Sequence, residues 1–261
     1  MSFFLNKLSI LIIYIYMKVL ELFSGTGSVG KVCKEKGWEV VSLDLKGANI
    51  NINILDWDYK IYKPEDFDII WASPPCDTFS ALRKTWIGRK LKAHQGEICT
   101  KELLQKDIET IGLPILRKAE EIINYLKPKY YFIENPQTGR MKEYIDKPFY
   151  DVDYCKYSNF GYKKRTRIWT NLKGFEPKTC KNDCGNLMEN TNKHRVNFGG
   201  SKMVQDGDKI IKVKSAEQRQ KYKDFKNIQL YLNGGGGNRD ERYRIPFKLI
   251  RGLFDVVVEK V

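Results

Sequence analysis

Apolar positions along this chain follow two rhythms. Short runs at 17–23, 38–44, 67–72 and 129–134, and another at 166–170, are bounded by Gly, Pro, Asp or Asn. Runs of that length read as buried strands of a parallel sheet. Other stretches repeat at the helical period. Between 107 and 126, Ile108, Ile111, Ile115, Leu116, Ala119, Ile122, Ile123 and Leu126 form one stripe that packs on a sheet. Helices are predicted at 27–36, 107–126 and 246–258, the last with Pro246 in its first turn. Strands alternating with helices argue for a parallel sheet covered on both faces, an α/β fold.

The rhythm fails at 171–240, which is polar and rich in Gly and Asn. This stretch reads as a small lobe inserted before the final helix returns to the sheet. The organisation expected is therefore an extension at 1–16, a main domain at 17–170, the lobe at 171–240 and a closing segment at 241–261, with no internal repeat. Leu8 to Tyr16 is strongly apolar, but Lys18 interrupts it and a membrane span needs about 20 residues. No small-residue cleavage site follows, so a secretory signal is not expected. Met17 reads as the natural first residue, starting the first strand directly.

Composition narrows the partners. The chain has 261 residues and 42% hydrophobic content, enough for one large domain, or one plus a small lobe, with a core. Its net charge of +14 favours a polyanion and would steer DNA or RNA to the surface, although a Lys-rich proteome from an AT-rich genome gives the same balance. The six cysteines lack the dense spacing of a secreted scaffold, so the compartment reads as reducing and Cys76 as a free thiol.

Candidate chemistry gathers where the predicted strands end. Asp68-Ile-Ile-Trp-Ala-Ser-Pro-Pro-Cys76 is a buried strand running into a stiff Pro-Pro turn that mounts a thiol. A nucleophile gains from such a mount, because reaction needs its sulfur held against the substrate. Val19-Leu-Glu-Leu-Phe-Ser-Gly-Thr-Gly-Ser-Val-Gly30 is a strand followed by a Gly-rich turn and a helix, a site for close approach of a nucleotide-like ligand or a plain connection. It departs from the dinucleotide fingerprint, since no acidic residue stands about 20 positions after the last glycine. Asp44 comes sooner, at the tip of the second strand, where a carboxylate can accept from ribose hydroxyls. Gly25, Asp44, Ser73 to Cys76 and Glu134 all fall at carboxyl ends of strands, the binding side of such sheets. In the lobe, Cys180-Lys-Asn-Asp-Cys184 with His194 suggests Zn²⁺ in a unit lacking its own core, or else a loop with two free thiols; no fourth ligand is evident. His94 reads as a solvated loop residue beside the nucleophile segment or, equally, as a DNA phosphate contact with Arg83, Lys84, Arg89, Lys90 and Lys92.

Taken in order, these blocks resemble the cytosine-5 DNA methyltransferase family over most of the chain, from Met17 to about Val258. Glu21-Leu-Phe-Ser-Gly-Thr-Gly27 is similar to its S-adenosylmethionine loop, Asp44 to its ribose acid and Leu55-Asp-Trp57 to its adenine block. Ser73-Pro-Pro-Cys76, continued by Phe79-Ser80, is similar to its nucleophile block, and Phe132-Ile-Glu-Asn-Pro136 to its Glu-Asn block. Lys163-Lys-Arg-Thr-Arg167 matches its Gln-x-Arg-x-Arg block with Lys in place of Gln, and Arg244-Ile-Pro246 its closing block. The Gly-Asn element before the final helix is not cleanly kept: Asn238 ends Gly234-Gly-Gly-Gly-Asn238, off the usual spacing to Pro246. These departures, with a short recognition stretch, bear on sequence specificity more than on chemistry.

The resemblance implies a Rossmann-like S-adenosylmethionine-dependent methyltransferase sheet with a small inserted recognition lobe. It implies Cys76 as nucleophile, Glu134 on the target base, Arg165 on the base carbonyl, and Arg167 orienting Glu134 or binding phosphate. Cofactor contacts would come from Phe23, Ser24, Gly25, Thr26, Gly27, Asp44, Asp56, Trp57 and Pro74, with core as the second reading of Trp57. Nucleic-acid contacts would come from Ser80, Arg83, Lys84 and Lys163. The cofactor would be S-adenosyl-L-methionine; zinc in the lobe on Cys180, Cys184 and His194 is suggested by the spacing of those residues rather than by the resemblance. The partner is double-stranded DNA, met by a monomer with no membrane, in the cytoplasm or the host compartment holding the DNA. A compact viral, phage or orphan type fits, protecting DNA against restriction.

Three other readings stay open. A tRNA-methylating branch shares the same blocks, so the substrate could be RNA. A degenerate, DNA-binding methylase fold is disfavoured by Cys76, Glu134 and Arg165 standing together in order. Amino-group methylation uses an Asp/Asn-Pro-Pro-aromatic turn, which Ser73-Pro-Pro-Cys76 does not match.

Overall fold

The computed structural model describes residues 16–187, 192–195, 202–206, 209–213 and 243–260. Residues 1–15 and much of the 171–240 lobe, including Asn238, lie outside the described residues. Strands β1 (Lys18–Leu22), β2 (Glu39–Asp44), β3 (Ile50–Asn51), β4 (Ile69–Ala72) and β5 (Tyr130–Pro136) are joined by β6 (Phe149–Asp153) and β7 (Arg165–Thr170) in one sheet. Its order is β3-β2-β1-β4-β5-β7-β6. The first five strands run parallel, while β7 lies antiparallel to β5 and β6 antiparallel to β7. A separate hairpin pairs β8 (Lys202–Asp206) with β9 (Lys209–Val213).

Strand alternation sends side chains to two cores. Val19, Ile69, Trp71 and Phe132 face one way, onto helices α1 (Ser28–Glu35) and α4 (Phe247–Val258), meeting Val29, Val32, Leu249, Leu253 and Phe254. Leu20, Leu22, Ile70, Ala72 and Ile133 face the other way, onto Leu116, Ala119, Ile122 and Ile123 of α3 (Leu113–Leu126). This doubly covered sheet is the α/β architecture read from the sequence. Truncating a fully buried Leu or Phe in either core to Ala should cost about 2–5 kcal/mol.

The helix predicted at 107–126 is interrupted in an informative way. A short α2 (Lys101–Asp107), capped by the Thr100 hydroxyl accepting from Leu103 N–H, leads into a π-helical turn at Ile108–Gly112 before α3. Gly112 lies where a Cβ would overlap Thr78 and come within 2.8 Å of the Phe79 ring. The nucleophile segment therefore rests on a bare backbone patch of this helix, and π turns often mark functional sites. Among the described residues no helix is long and apolar enough to cross a membrane.

Candidate active site

Strand order reverses between β1 and β4, and ligands of open α/β sheets bind beyond the carboxyl ends of strands at such a point. A cleft of about 930 Å³ opens there, lined by Phe23 to Thr26, Asp44, Ile52 to Ile54, Ser73 to Asp77, Glu134 and Lys164, among others.

At the β1 end, the chain turns sharply after Leu22. Phe23, Gly25 and Gly27 all have positive φ (60°, 50° and 65°). Glycine adopts that region freely, but a bulky Phe does so only under constraint. Asp44 braces the loop: its Oδ2 accepts from Gly25 N–H at 2.8 Å and its Oδ1 from Leu45 N–H at 2.7 Å. Glu21 is buried beneath, accepting from Val29 and Gly30 N–H at 3.2 and 3.0 Å. Burial pushes its carboxyl up to about 7 against the pull of those two amides.

At the β4 end, Asn135 Nδ2 donates to Pro74 O at 2.8 Å and so pins the Pro-Pro turn to the neighbouring strand. Arg140 N–H donates to Phe79 O at 2.8 Å and fixes the next stretch. Cys76 is partly exposed in the cleft. Burial pushes its thiol up to about 11, an effect that the nearby Lys164 charge opposes and that Asp77 and Glu134 add to. In the ligand-free cleft the thiol form therefore predominates at pH 7, and sulfur must lose its proton to attack.

Glu134 is buried beside it. Its Oε1 accepts from Tyr154 Oη at 2.8 Å and lies 3.9 Å from Lys164 Nζ, which also sits over the Tyr154 ring at 4.8 Å. Three groups thus converge: a thiol, a carboxylate held by a fully buried tyrosine, and a buried lysine. The arrangement suits covalent attack on an electron-poor ring that needs charge stabilised at its edge.

The structure redistributes several expected roles. Phe23, Ser24, Gly25, Thr26, Asp44 and Pro74 line the cleft, and Gly27 closes the turn beside them. Trp57 does not line it; its ring packs edge-on against Tyr59 and Tyr62 in the core. Asp56 is exposed outside the lining, and Ile52, Asn53 and Ile54 take that wall instead. Arg165 and Arg167 are not in the lining either. Each pairs across β6–β7, Arg165 with Asp153 at 3.1–3.2 Å and Arg167 with Asp151 at 2.7–2.8 Å. The cation that faces Glu134 is Lys164, one position away and so on the opposite face of the strand.

Ser80 and Lys84 line a second groove of about 760 Å³ beside the nucleophile segment. Arg83 also borders it, but its guanidinium is largely buried in an ion pair with Asp107, which His94 joins at 3.1 Å. Lys163 is turned inward too, donating to Cys180 O at 2.8 Å. Arg83 is bound internally rather than offered to a phosphate, whereas a third of the Lys163 side chain stays exposed.

Cys180, Cys184 and His194 come together, and Cys155 joins them: the four ligand atoms lie within 4.8 Å of one another. Sequence reading missed Cys155, Tyr154 and Lys164. The alternation of a D-x-D segment opposite an R-x-R segment could have revealed which face of β7 looks into the cleft.

No family model matches the chain. Over 184 residues it is 52% identical to a protein named a probable DNA (cytosine-5)-methyltransferase of Frog virus 3 (isolate Goorha), a match covering 69% of this chain and 83% of the relative. Solved structures resemble it more distantly. The Entamoeba histolytica methyltransferase EhMeth aligns over 94% of this chain and 99% of its own at 15% identity and a TM-score of 0.49. A DNMT2 mutant of Spodoptera frugiperda aligns over 63% and 53% at 18% identity and 0.37. On the strength of the viral relative, the chain belongs to the DNA cytosine-5 methyltransferase family. It is a methyltransferase.

Proposed function

We propose that this chain transfers the methyl group of S-adenosylmethionine to carbon-5 of a cytosine flipped out of double-stranded DNA. The observation that carries the reading is the convergence of Cys76, Glu134 and Lys164 in one cleft with the Asp44-braced glycine loop. The loop end would take the adenosine moiety, with Asp44 accepting from the ribose hydroxyls. The Cys76 end would take the base.

In the reaction, the Cys76 thiolate adds to carbon-6 and the ring becomes an enamine nucleophilic at carbon-5. Carbon-5 attacks the sulfonium methyl group, and S-adenosylhomocysteine leaves. A base then removes the carbon-5 proton, the sulfur–carbon bond breaks, and the thiolate is regenerated. Glu134 grips the ring edge at N3 and the amino group. Lys164 offsets the charge that develops there. Taking the base out of the stack costs a few kcal/mol, supplied by contacts to the strand.

The acting form in this reading is a monomer, working wherever its DNA is held. Zinc in the small lobe is part of this reading as a structural companion, not a reactant. The test is transfer of labelled methyl to duplex DNA and to RNA, followed by identification of the modified base. Label in 5-methylcytosine of DNA is the expected result. Label confined to RNA would give the substrate to the tRNA branch, and no label in either would leave a binding protein.

A further inference from the structure

We infer that Cys155, Cys180, Cys184 and His194 form a closed zinc site that sets the position of Glu134 through Tyr154. The metal site stands on its own geometry; the role given to Glu134 rests on the methyl-transfer reading.

The geometry fits tetrahedral zinc. His194 Nε2 lies 3.6 Å from Cys180 Sγ and 3.3 Å from Cys184 Sγ. With Zn–S of ~2.3 Å and Zn–N of ~2.0 Å, tetrahedral angles put sulfur and nitrogen about 3.5 Å apart. Every described cysteine is a free thiol, and three of them converge here on one imidazole nitrogen. Three thiolates and a histidine favour zinc over the hard cations magnesium and calcium. With all four positions filled by protein there is no place for a substrate, so the site is structural. The set would carry a net charge of about −1, and Lys156, Lys163 and Arg165 gather around it, on Asp183, on Cys180 O and on Asp153.

The segment also needs a staple. From 173 to 187 only Phe175, Cys180 and Asn186 are buried, too little for a core of its own. Its polar ties reach the stretch from Asp153 to Lys163 of the main domain, several of them at the turn that follows β6. Asp153, fully buried, accepts from Cys180 N–H at 2.7 Å. Asn186 Nδ2 donates to Cys155 O at 2.9 Å and Ser158 O at 2.8 Å. Tyr157 Oη accepts from Lys178 N–H at 2.8 Å. Cys155 lies inside that turn, next to Tyr154, whose hydroxyl holds Glu134. A metal that fixes Cys155 therefore fixes Tyr154, and Tyr154 is a positioning residue.

The experiment is elemental analysis of the full chain purified without chelator, then cobalt exchange. One zinc per chain is expected, and cobalt should give the absorption of a tetrahedral thiolate site. Cys184→Ser and His194→Ala should each lose most of the metal, and both residues are only partly buried, so the fold should survive. These readouts do not depend on activity. Metal-free protein, or disulfides among these cysteines by mass spectrometry, would overturn the site. The link to Glu134 is read separately, on an active preparation. Tyr154→Phe should keep its zinc and its S-adenosylmethionine affinity while kcat falls about 10–100-fold, the range typical of supports around a metal site. Chelated wild-type protein should show the same split. Unchanged kcat after zinc is removed would overturn the coupling and leave the site standing.

Discussion

Two groups of cysteines show how one side chain is put to opposite uses. Cys76 stands on a rigid Pro-Pro turn, facing a cleft, with Glu134 and Lys164 near it. Cys155, Cys180 and Cys184 face one another and a histidine, away from the cleft lining. The first setting leaves a sulfur able to bond something that enters; the second, on the zinc proposal, would commit its three sulfurs to one metal ion. What differs is the mount. Cys76 is fixed by backbone on both sides, through Asn135 on Pro74 and Arg140 on Phe79, so its sulfur needs no partner to stay in place. The described part of the lobe buries little apolar surface, and its four ligating side chains are brought together from positions far apart in the chain.

The comparison breaks first at Cys76. Cys76→Ala should lower methyl transfer at least about 10³-fold, with cofactor affinity and zinc content unchanged, because the sulfur belongs to the reaction alone. Filter-binding of labelled DNA, calorimetry with S-adenosylmethionine and elemental analysis together check this. Next comes the pair at the start of β7, Lys164 just before it and Arg165 its first residue. Lys164→Met should lower kcat about 10²-fold, the scale of losing one donor aimed at developing charge. Arg165→Met should chiefly reduce thermal stability, since its partner Asp153 would remain buried and short of a cation. Steady-state rates beside melting curves separate the two, and equal kcat losses would contradict the assignment of Lys164.

A smaller effect is expected at Gly112→Ala. The added methyl group must push back Thr78 and Phe79, at an overpacking cost of about 1–3 kcal/mol, and the displaced nucleophile segment should lower kcat about tenfold or more at unchanged cofactor affinity. The mildest test uses pH. Burial holds the Cys76 thiol near 11, so its thiolate fraction rises as pH rises toward that value. Alkylation of Cys76 by iodoacetamide in the free protein, followed by peptide mass spectrometry, should quicken about tenfold per pH unit between 7 and 9. A rate flat across that range would mean a thiolate already formed.

Much of this was legible in the chain. Parallel strands buried on both faces are written as apolar runs, so β1, β2, β4 and β5 stood out, and the stripe of α3 marked the helix that covers them. Glycines, Asp44 and Ser73-Pro-Pro-Cys76 located the binding end because chemistry there depends on backbone shape. β6 was not legible. Its Asp151 and Asp153 face Arg167 and Arg165 across the ladder, and a strand stabilised by ion pairs looks like a polar loop. That omission also misdirected the arginines, since without β6 nothing said which face of β7 was covered. Cys155 was missed for a related reason: it is far from Cys180 in sequence and near only once β6 has returned. Trp57 could have been shelf or core on sequence alone, and packing against Tyr59 and Tyr62 decided for core.

The central claim is that Cys76 bonds carbon-6 of a cytosine gripped by Glu134. Duplex DNA in which 5-fluorocytosine replaces cytosine tests it most directly, because fluorine at carbon-5 blocks the elimination that would release the enzyme. With S-adenosylmethionine present, the account predicts a stable protein–DNA adduct, mapped by mass spectrometry to the peptide bearing Cys76. An adduct formed equally well by the Cys76→Ala chain, or mapped to another residue, would contradict it.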